Sequence, residues 1–583
     1  MAERILIMSL TRMGDLVQAT PLISGMRQKY PDSVITLMVS SDFESFIPNI
    51  PDIDNSIVLD IRQFKKRERE QDLSWVVIYQ YLESFLEEVK AQRFDLVVNL
   101  SHSKLSALMI LYLGIKKVCG FLCNETGDRM TEHPWMQYFG IEPFNRNYNP
   151  FNLVEIFTRS ADVRPEDQRI RINVPEEPLS LIAPDLSREA IRDDELVIGI
   201  QAGSSIEGRR WPASHFAELA DSLADGLNAR IVLFGVESEA PIAGEICRLA
   251  TRSEKIINLT GKTNIPKLIA WVGRCRYLVT NDTGTMHIAA ALGTTIVGLF
   301  FAHAHPYETG PYSPGHVLFQ ARISCAPCSY GVQCNNIVCI HKVKPHHLYS
   351  MIQAHINAGG WNLTDDMGPL DEVNIYETRY GNDQRLTLKP LTRHPIKLDD
   401  VFRWAYSSLW LESLGEYDHC DNSRDEAAMV ELMWQDYDCG GIDEIVEPLR
   451  YKIEVVKDLI KLSREGTKAT TSLIKMLHSR PSSKKMQALG DKISGIDETL
   501  NQTGCAHPEI KPVIDLFVKR KENFQGDDVV RLGKDTLRCY EQMRKEFTRL
   551  ILLLNAAEES FAPGVIDKNQ VGFDSINALV PGR

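Results

Sequence analysis

The chain has 583 residues, with 65 Lys and Arg against 78 Asp and Glu, a formal net charge of −13 at pH 7. That length calls for about three cores, and the acidic balance excludes a protein that grips nucleic acid over a broad basic surface, though not a local basic pocket. The twelve cysteines are unevenly spread and suit a reducing compartment with one special cluster, while "MAERILIM" lacks a leader pattern and no run of about 18 apolar residues is present, so the expectation is a cytoplasmic protein.

From Arg4 to about Leu122, short β-branched runs ("RILIMS", "VITLMV", "SIVLD", "FDLVVNLS", "KVCGFL") alternate with helical stretches such as "VVIYQYLESFLEEVKAQ". This alternation predicts a parallel sheet covered on both faces. A polar, proline-containing region around 164–195 reads as a hinge. The rhythm then restarts in "LVIGIQ", "ARIVLFG", "KIINLTG", "RYLVT", "TTIVGLF" and "VLFQAR", which predicts two successive doubly wound halves, with one larger sheet as the alternative. The expected boundaries are 1–180 and 181–360. Residues 361–450 are acidic and read as a linker or irregular region. Residues 451–583 read as helical: Val529, Leu532, Leu537, Tyr540, Met543, Phe547, Leu550 and Leu554 recur at three to five residues and form an amphipathic stripe. That predicts a small bundle, serving either as a platform for another chain or as an appendage packed on its own.

Three loops carry the chemistry. "NDTGTMHIAA" (281–290) takes a strand through Asp282, Thr283 and Gly284 into a helix with His287 on its first turn. Backbone N–H groups and the positive end of the helix dipole converge there, a ready anion site; the plainer reading has Asp282 capping the helix. "IQAGSSIEGRRWPASHF" sets Arg209 and Arg210 beside a Gly/Ser-rich loop at a strand's carboxyl end, suited to pairing with phosphate oxygens; Arg210 reads equally as a solvated charge, and Trp211 as a core aromatic. "MSLTRMGDLVQATPLI" is not GxGxxG, so a dinucleotide fingerprint is absent. Thr20-Pro21 is a better helix start than Asp15, which predicts Asp15 free in a loop facing the other half, a candidate general base.

"MGDLVQATPLI", "GRRWP", "FGVESE" and "NDTGTMHIAAALG", in this order over roughly residues 1–360, resemble glycosyltransferase family 9, the ADP-heptose:lipopolysaccharide heptosyltransferases. The resemblance implies a GT-B fold: two Rossmann-like domains facing across a cleft, the first taking the acceptor and the second the nucleotide sugar, here with a C-terminal mostly α-helical extension. It implies Asp15 as catalytic base, Arg209, Glu237, Asp282, Thr283, Gly284 and His287 as donor-binding residues, and Gly14, Ser101 and His102 on the acceptor side. Arg209 stands where the family commonly has a Lys, which leaves the donor's identity open. The implied activity is inverting transfer of heptose from ADP-heptose to a lipopolysaccharide-core or related glycan or glycolipid, without a catalytic metal and with peripheral contact to the inner membrane. Another nucleotide sugar, a protein acceptor, or a catalytically silent scaffold acting through a helical tail that binds a second copy or another protein are the alternatives.

Cys325, Cys328, Cys334 and Cys339 fall within fifteen residues. A C-x2-C pair followed by two thiols is compatible with a structural zinc or iron site stiffening the loop beside the donor, or with four reduced thiols. Asp436-Tyr437-Asp438 has the spelling of a metal-binding DxD but lies in the acidic tract, and reads as a chance match.

Overall fold

The computed structural model describes residues 3–62, 75–329, 331–381, 385–415, 422–438, 442–477 and 483–561. Fourteen strands among these build two sheets. The first contains β1 (Arg4–Ser9), β2 (Val34–Ser40), β3 (Asn55–Leu59), β4 (Leu96–Asn99), β5 (Lys117–Cys123) and β6 (Arg129–Thr131), in the order β3-β2-β1-β4-β5-β6. All pairings are parallel except that of β5 with β6. The runs that form it are nearly continuous in apolar residues because both faces are covered; Ile5, Leu6, Ile7 and Met8 are all fully buried.

The second sheet contains β7 (Val197–Gln201), β8 (Arg230–Phe234), β9 (Ile256–Asn258), β10 (Tyr277–Asn281), β11 (Thr295–Phe300), β12 (Val317–Ala321), β13 (Val373–Tyr380) and β14 (Leu386–Pro390). Its order is β14-β13-β12-β11-β10-β7-β8-β9. The first six strands repeat the strand order of the other half, though β12 runs parallel to β11 where β6 is antiparallel to β5, and cores lie on both faces of the sheet. In each half the strand order reverses between the first and fourth strands, and open α/β sheets bind ligands at the carboxyl ends of such a reversal. The two reversals place the loops after β1, β4, β7 and β10 at candidate sites. The helix Met13–Gln18, which follows β1, packs against the helix Gly284–Leu292, which follows β10. The halves therefore meet carboxyl edge to carboxyl edge, as in a GT-B fold.

Two expectations about connections are corrected. The hinge around 164–195 contains a helix, Pro178–Arg188, whose Ile182 is buried in the core of the second half. The acidic region 361–450 is not irregular throughout. Val373–Tyr380 alternates buried and half-buried residues and pairs antiparallel with β12, and β14 pairs with β13. Averaged composition conceals the β-branched and aromatic alternation that makes this edge. The same region holds the helices Leu398–Ser413 and Asn422–Asp436.

The chain divides into two compact units: residues 1–133 with 152–392, and residues 134–151 with 393–583. The second unit is mainly helical. Its helices Asp443–Leu477 and Val529–Ser560 approach closely where Gly466 leaves room for the Tyr540 ring, since a Cβ there would stand 2.5 Å from it. Of the amphipathic stripe, Tyr540, Met543, Phe547, Leu550 and Leu554 are fully buried, while Val529 is exposed. Residues 134–151 supply Trp135, Tyr138 and Phe151, whose rings meet edge to face, and Tyr138 packs on Trp410.

Candidate active site

β1 and β4 end side by side, and the chain fastens them together. Ser101 is fully buried and its Oγ accepts a hydrogen bond from the Leu10 N–H (2.8 Å). Asn99, unremarked in the sequence, directs this corner. Its amide donates to the Phe121 carbonyl (2.7 Å) and Ser106 Oγ (3.1 Å), and its side-chain oxygen accepts from the Ser101 N–H. Ser101 is thus scaffold and has no exposed atom to offer a sugar, which corrects its expected acceptor contact. Its neighbour His102 packs on Phe121, ring centroids 4.0 Å apart, with its Nδ1 3.2 Å from the Arg129 guanidinium.

The loop after β1 is shorter than expected. The first helix begins at Met13, before Thr20-Pro21 opens the next one, so Asp15 stands in the first turn of a helix and not free in a loop. Met13–Gln18 is nevertheless the helix that packs against Gly284–Leu292 of the other half, so Asp15 lies on the element that meets it. Asp15 is half-buried. Loss of solvent raises its carboxyl to about pKa 6; Asp282 and Glu308 push the same way, and Arg12 and Thr11 oppose them. A carboxyl at that value is ionised at neutral pH yet a stronger base than an ordinary aspartate.

Facing it, the helix Gly284–Leu292 has Thr283 as N-cap and no side-chain cap. Asp282 therefore does not cap the helix. Its carboxylate forms a tight ion pair with Arg209, which also donates to the Asp282 carbonyl (3.0 Å), and it accepts from Thr309 Oγ1 (2.9 Å). Both charged side chains are largely buried. Arg209 Nε has no partner among the described residues. Arg210 is half-buried and its Nε donates to the Ser204 carbonyl (2.6 Å). Trp211 is a fully buried core aromatic donating to the Val343 carbonyl. Asn281 ties the two loops, donating to the Ala202 carbonyl (2.8 Å) and accepting from the Trp211 N–H (3.2 Å).

His287 is buried, its Nδ1 has no partner among the described residues, and burial lowers its pKa to about 4, so it is neutral at physiological pH. It packs directly on Gly14, where a Cβ would stand 3.1 Å from the ring. Gly284 in turn lies under Met13, whose Cε would be 2.6 Å from an added Cβ. These two glycines let the two helix starts approach, and so set Asp15 near Asp282. Glu237 is exposed on the loop after β8, against Gly261. Its neighbour Glu239 is held inward, accepting from Gln201 Nε2 and the Val236 N–H, each at 3.0 Å.

Glu308 and Thr309 belong to this centre and were not read from the sequence. They sit on a single helical turn, Pro306–Thr309, after β11, and the polar "HPYET" following an apolar strand was the available signal.

The cysteine loop packs on the donor-side loops: the Cys328 N–H donates to the Ala302 carbonyl (2.9 Å), and Ile337 lies 3.7 Å from where a Gly208 Cβ would stand. Cys325 and Cys334 are exposed, Cys328 is half-buried and Cys339 is in the core. Burial first, and the neighbouring thiols second, raise Cys328 to about pKa 11. Among the described residues no three His, Cys, Asp or Glu side chains converge on a common point. The four thiols nonetheless lie near enough to one another that Cys325, Cys339 and Cys334 each act on Cys328. The DxD spelling is used structurally: Asp436 is buried and Asp438 bridges to Pro395.

Residues 82–336 match the family model for glycosyltransferase family 9 (heptosyltransferase). Lipooligosaccharide heptosyltransferase 2 of Haemophilus ducreyi is 27% identical over 332 residues, covering 54% of this chain and 85% of that protein. Residues 82–336 are thereby assigned to glycosyltransferase family 9. The chain is a glycosyltransferase. Lipopolysaccharide heptosyltransferase 2 of Escherichia coli is 23% identical over 325 residues, 53% of this chain and 84% of that protein. A solved family 9 glycosyltransferase from Veillonella parvula aligns over 60% of this chain and 97% of its own, with a TM-score of 0.49 and 21% identity. The family match includes Arg209, Glu237 and Asp282–His287 and begins after Asp15, so the case for Asp15 rests on its position and electrostatics.

Proposed function

We propose that this family 9 enzyme transfers heptose from ADP-heptose to a lipopolysaccharide-core or related glycan acceptor, with inversion at the anomeric carbon. The observation that carries the reading is the placement of Asp15, with its raised pKa, across from the uncapped helix start at Gly284 and the Arg209–Asp282 pair. In this reading the donor diphosphate lies at that helix start, where backbone N–H groups, Arg209 and the neutral His287 stabilise the charge that develops as it leaves. Glu237 is exposed on the loop after β8 and takes the donor's ribose. Asp15 accepts the proton of the acceptor hydroxyl, the oxygen attacks the anomeric carbon, and the bond to the nucleoside diphosphate breaks on the opposite face. Gly14 and His102 lie on the acceptor side. The positive partners of the leaving group are all protein groups, so the route contains no metal-dependent step.

A second reading, transfer of a different sugar, is favoured by one feature. Arg209 carries a planar guanidinium already engaged by Asp282, where the family commonly has the compact ammonium of Lys. Thermal-shift titration with ADP-, UDP-, GDP- and CMP-sugars separates the two, the ligand-bound state gaining stability in proportion to affinity. ADP-heptose giving the largest shift, together with NMR of the product showing an inverted anomeric centre, supports the first reading; a larger shift with a UDP- or GDP-sugar replaces it with the second.

A further inference from the structure

Just beyond β11, Ala302 has a φ of 53°. This left-handed region is costly for any residue with a Cβ, and such a residue persists there only where its surroundings impose the conformation. From Ala302 the chain runs into the helical turn Pro306–Thr309, which brings Glu308 to Asp15 and Thr309 to Asp282. The backbone has only two soft torsions per residue, so a return to negative φ at 302 redirects everything that follows it.

What imposes the conformation is the cysteine loop. The Cys328 N–H donates to the Ala302 carbonyl (2.9 Å), and the Cys339 Sγ accepts from the N–H groups of Ala302 and Ile340. Both backbone polar groups of Ala302 are thus held, from two separate points of one loop. Cys339 is 7% exposed and belongs to the core of the second half, which fixes its sulfur. The loop is anchored again where the Val343 carbonyl accepts from the Trp211 indole (3.0 Å). Ala302 and Ile337 both border Gly208, each 3.7 Å from where a Cβ would stand there, and Gly208 precedes Arg209 in the turn Glu207–Arg209. One clamp therefore lies behind both side-chain partners of Asp282, Arg209 and Thr309.

We propose that Cys339 is a positioning residue: with the Cys328 backbone it clamps Ala302 in the left-handed conformation and so aims Glu308 and Thr309 into the catalytic centre. The link to catalysis rests on the transferase reading above. Asp15 is faced by Thr11 and Arg12 from its own end of the chain, by Asp282 from the loop after β10 and by Glu308 from the turn. Neutral His287 packs beside it on Gly14. Of these groups only Glu308 is carried by the clamped segment, and it pushes the Asp15 carboxyl upward.

The clamp is read without substrate by hydrogen–deuterium exchange of the full-length chain. Cys339→Ala is expected to speed exchange of the amides in 303–310 about tenfold or more while leaving β1 and β10 unchanged. Cys339→Ser keeps an acceptor and stays near wild type. Should Cys339→Ala not fold, Cys339→Val fills the same core space without an acceptor and gives the same readings. With ADP-heptose and a heptose-free lipopolysaccharide core, Cys339→Ala lowers kcat/KM about tenfold and moves its acidic limb to lower pH, because Glu308 no longer raises Asp15. Adding Ala302→Gly recovers part of both, since glycine enters the left-handed region without a clamp.

Unchanged exchange in Cys339→Ala, failure of serine to restore it, or no recovery with Ala302→Gly overturns the proposal. An equal change in Cys325→Ser/Cys334→Ser overturns it as well, since the thiols then act as a set. A purely structural role lowers kcat/KM with the acidic limb in place, and that result also counts against it. Faster exchange in a protein that neither gains stability with ADP nor turns over ADP-heptose removes the transferase reading alone and leaves the clamp standing.

Discussion

Asp15 shows how a site is paid for in stability. Its folded pKa of about 6 lies above the ordinary 3.8, so the folded state holds its proton more tightly, and folding loses stability as pH rises from about 4 to 6 and stays lower above that. Asp15→Asn is therefore expected to abolish most transfer, by roughly 10²–10⁴-fold. It should also raise stability at pH 7.5 by on the order of 1–3 kcal/mol, the gain vanishing near pH 4; thermal melts across that range check both parts. Glu308→Gln removes a charge that raises Asp15, so the acidic limb of kcat/KM against pH should move to lower pH. Arg209→Ala leaves the buried Asp282 carboxylate without its cation and should cost roughly 3 kcal/mol of stability along with donor affinity. Arg209→Lys retains the charge and should lose less of each, measured by urea unfolding and nucleotide titration.

At the scale of elements, the centre depends on two helix starts pressed together through glycine. Gly284→Ala would drive a methyl group into Met13, pushing the first helix and Asp15 away. A fall in kcat/KM of about tenfold or more is expected, since small displacements of catalytic groups are costly. Met13→Ala in the same chain should restore much of it by vacating the space, and steady-state kinetics of the single and double variants decide the matter. The loops after β7 and β10 were legible in the sequence because glycine, arginine and the Asp-Thr-Gly turn are local signals. The true start of the first helix was not. Thr20-Pro21 does open a helix, as read, but Met13–Gln18 precedes it without a side-chain cap, and its six residues are held by packing against the opposite helix start, a contact about 270 positions away.

For the whole molecule, the helical part of the chain is larger than its last 133 residues. Residues 134–151 leave the first Rossmann half and fold with 393–583, burying Trp135, Tyr138 and Phe151. Tyr148 donates to Asp399 (3.3 Å) and Asn145 to Asp515 (2.9 Å) within that unit. Truncation after residue 392 should thus yield an aggregating protein, because three aromatic side chains lose their cover. The same truncation with 134–151 replaced by a short Gly-Ser turn should be a soluble nucleotide binder; size-exclusion chromatography and nucleotide thermal shifts test the pair.

The two-sheet architecture and the loops after β7 and β10 were determined by the sequence itself, since strand runs, glycine turns and N-terminal helix signals are written within a few residues of where they act. Only the tertiary structure decided that Ser101 is scaffold, that Asp282 holds Arg209, that Glu308 joins the centre, and that 134–151 belongs with the helical unit. Each of these depends on which distant side chain lies within hydrogen-bond or packing reach, a relation between separate parts of the chain that no local pattern encodes.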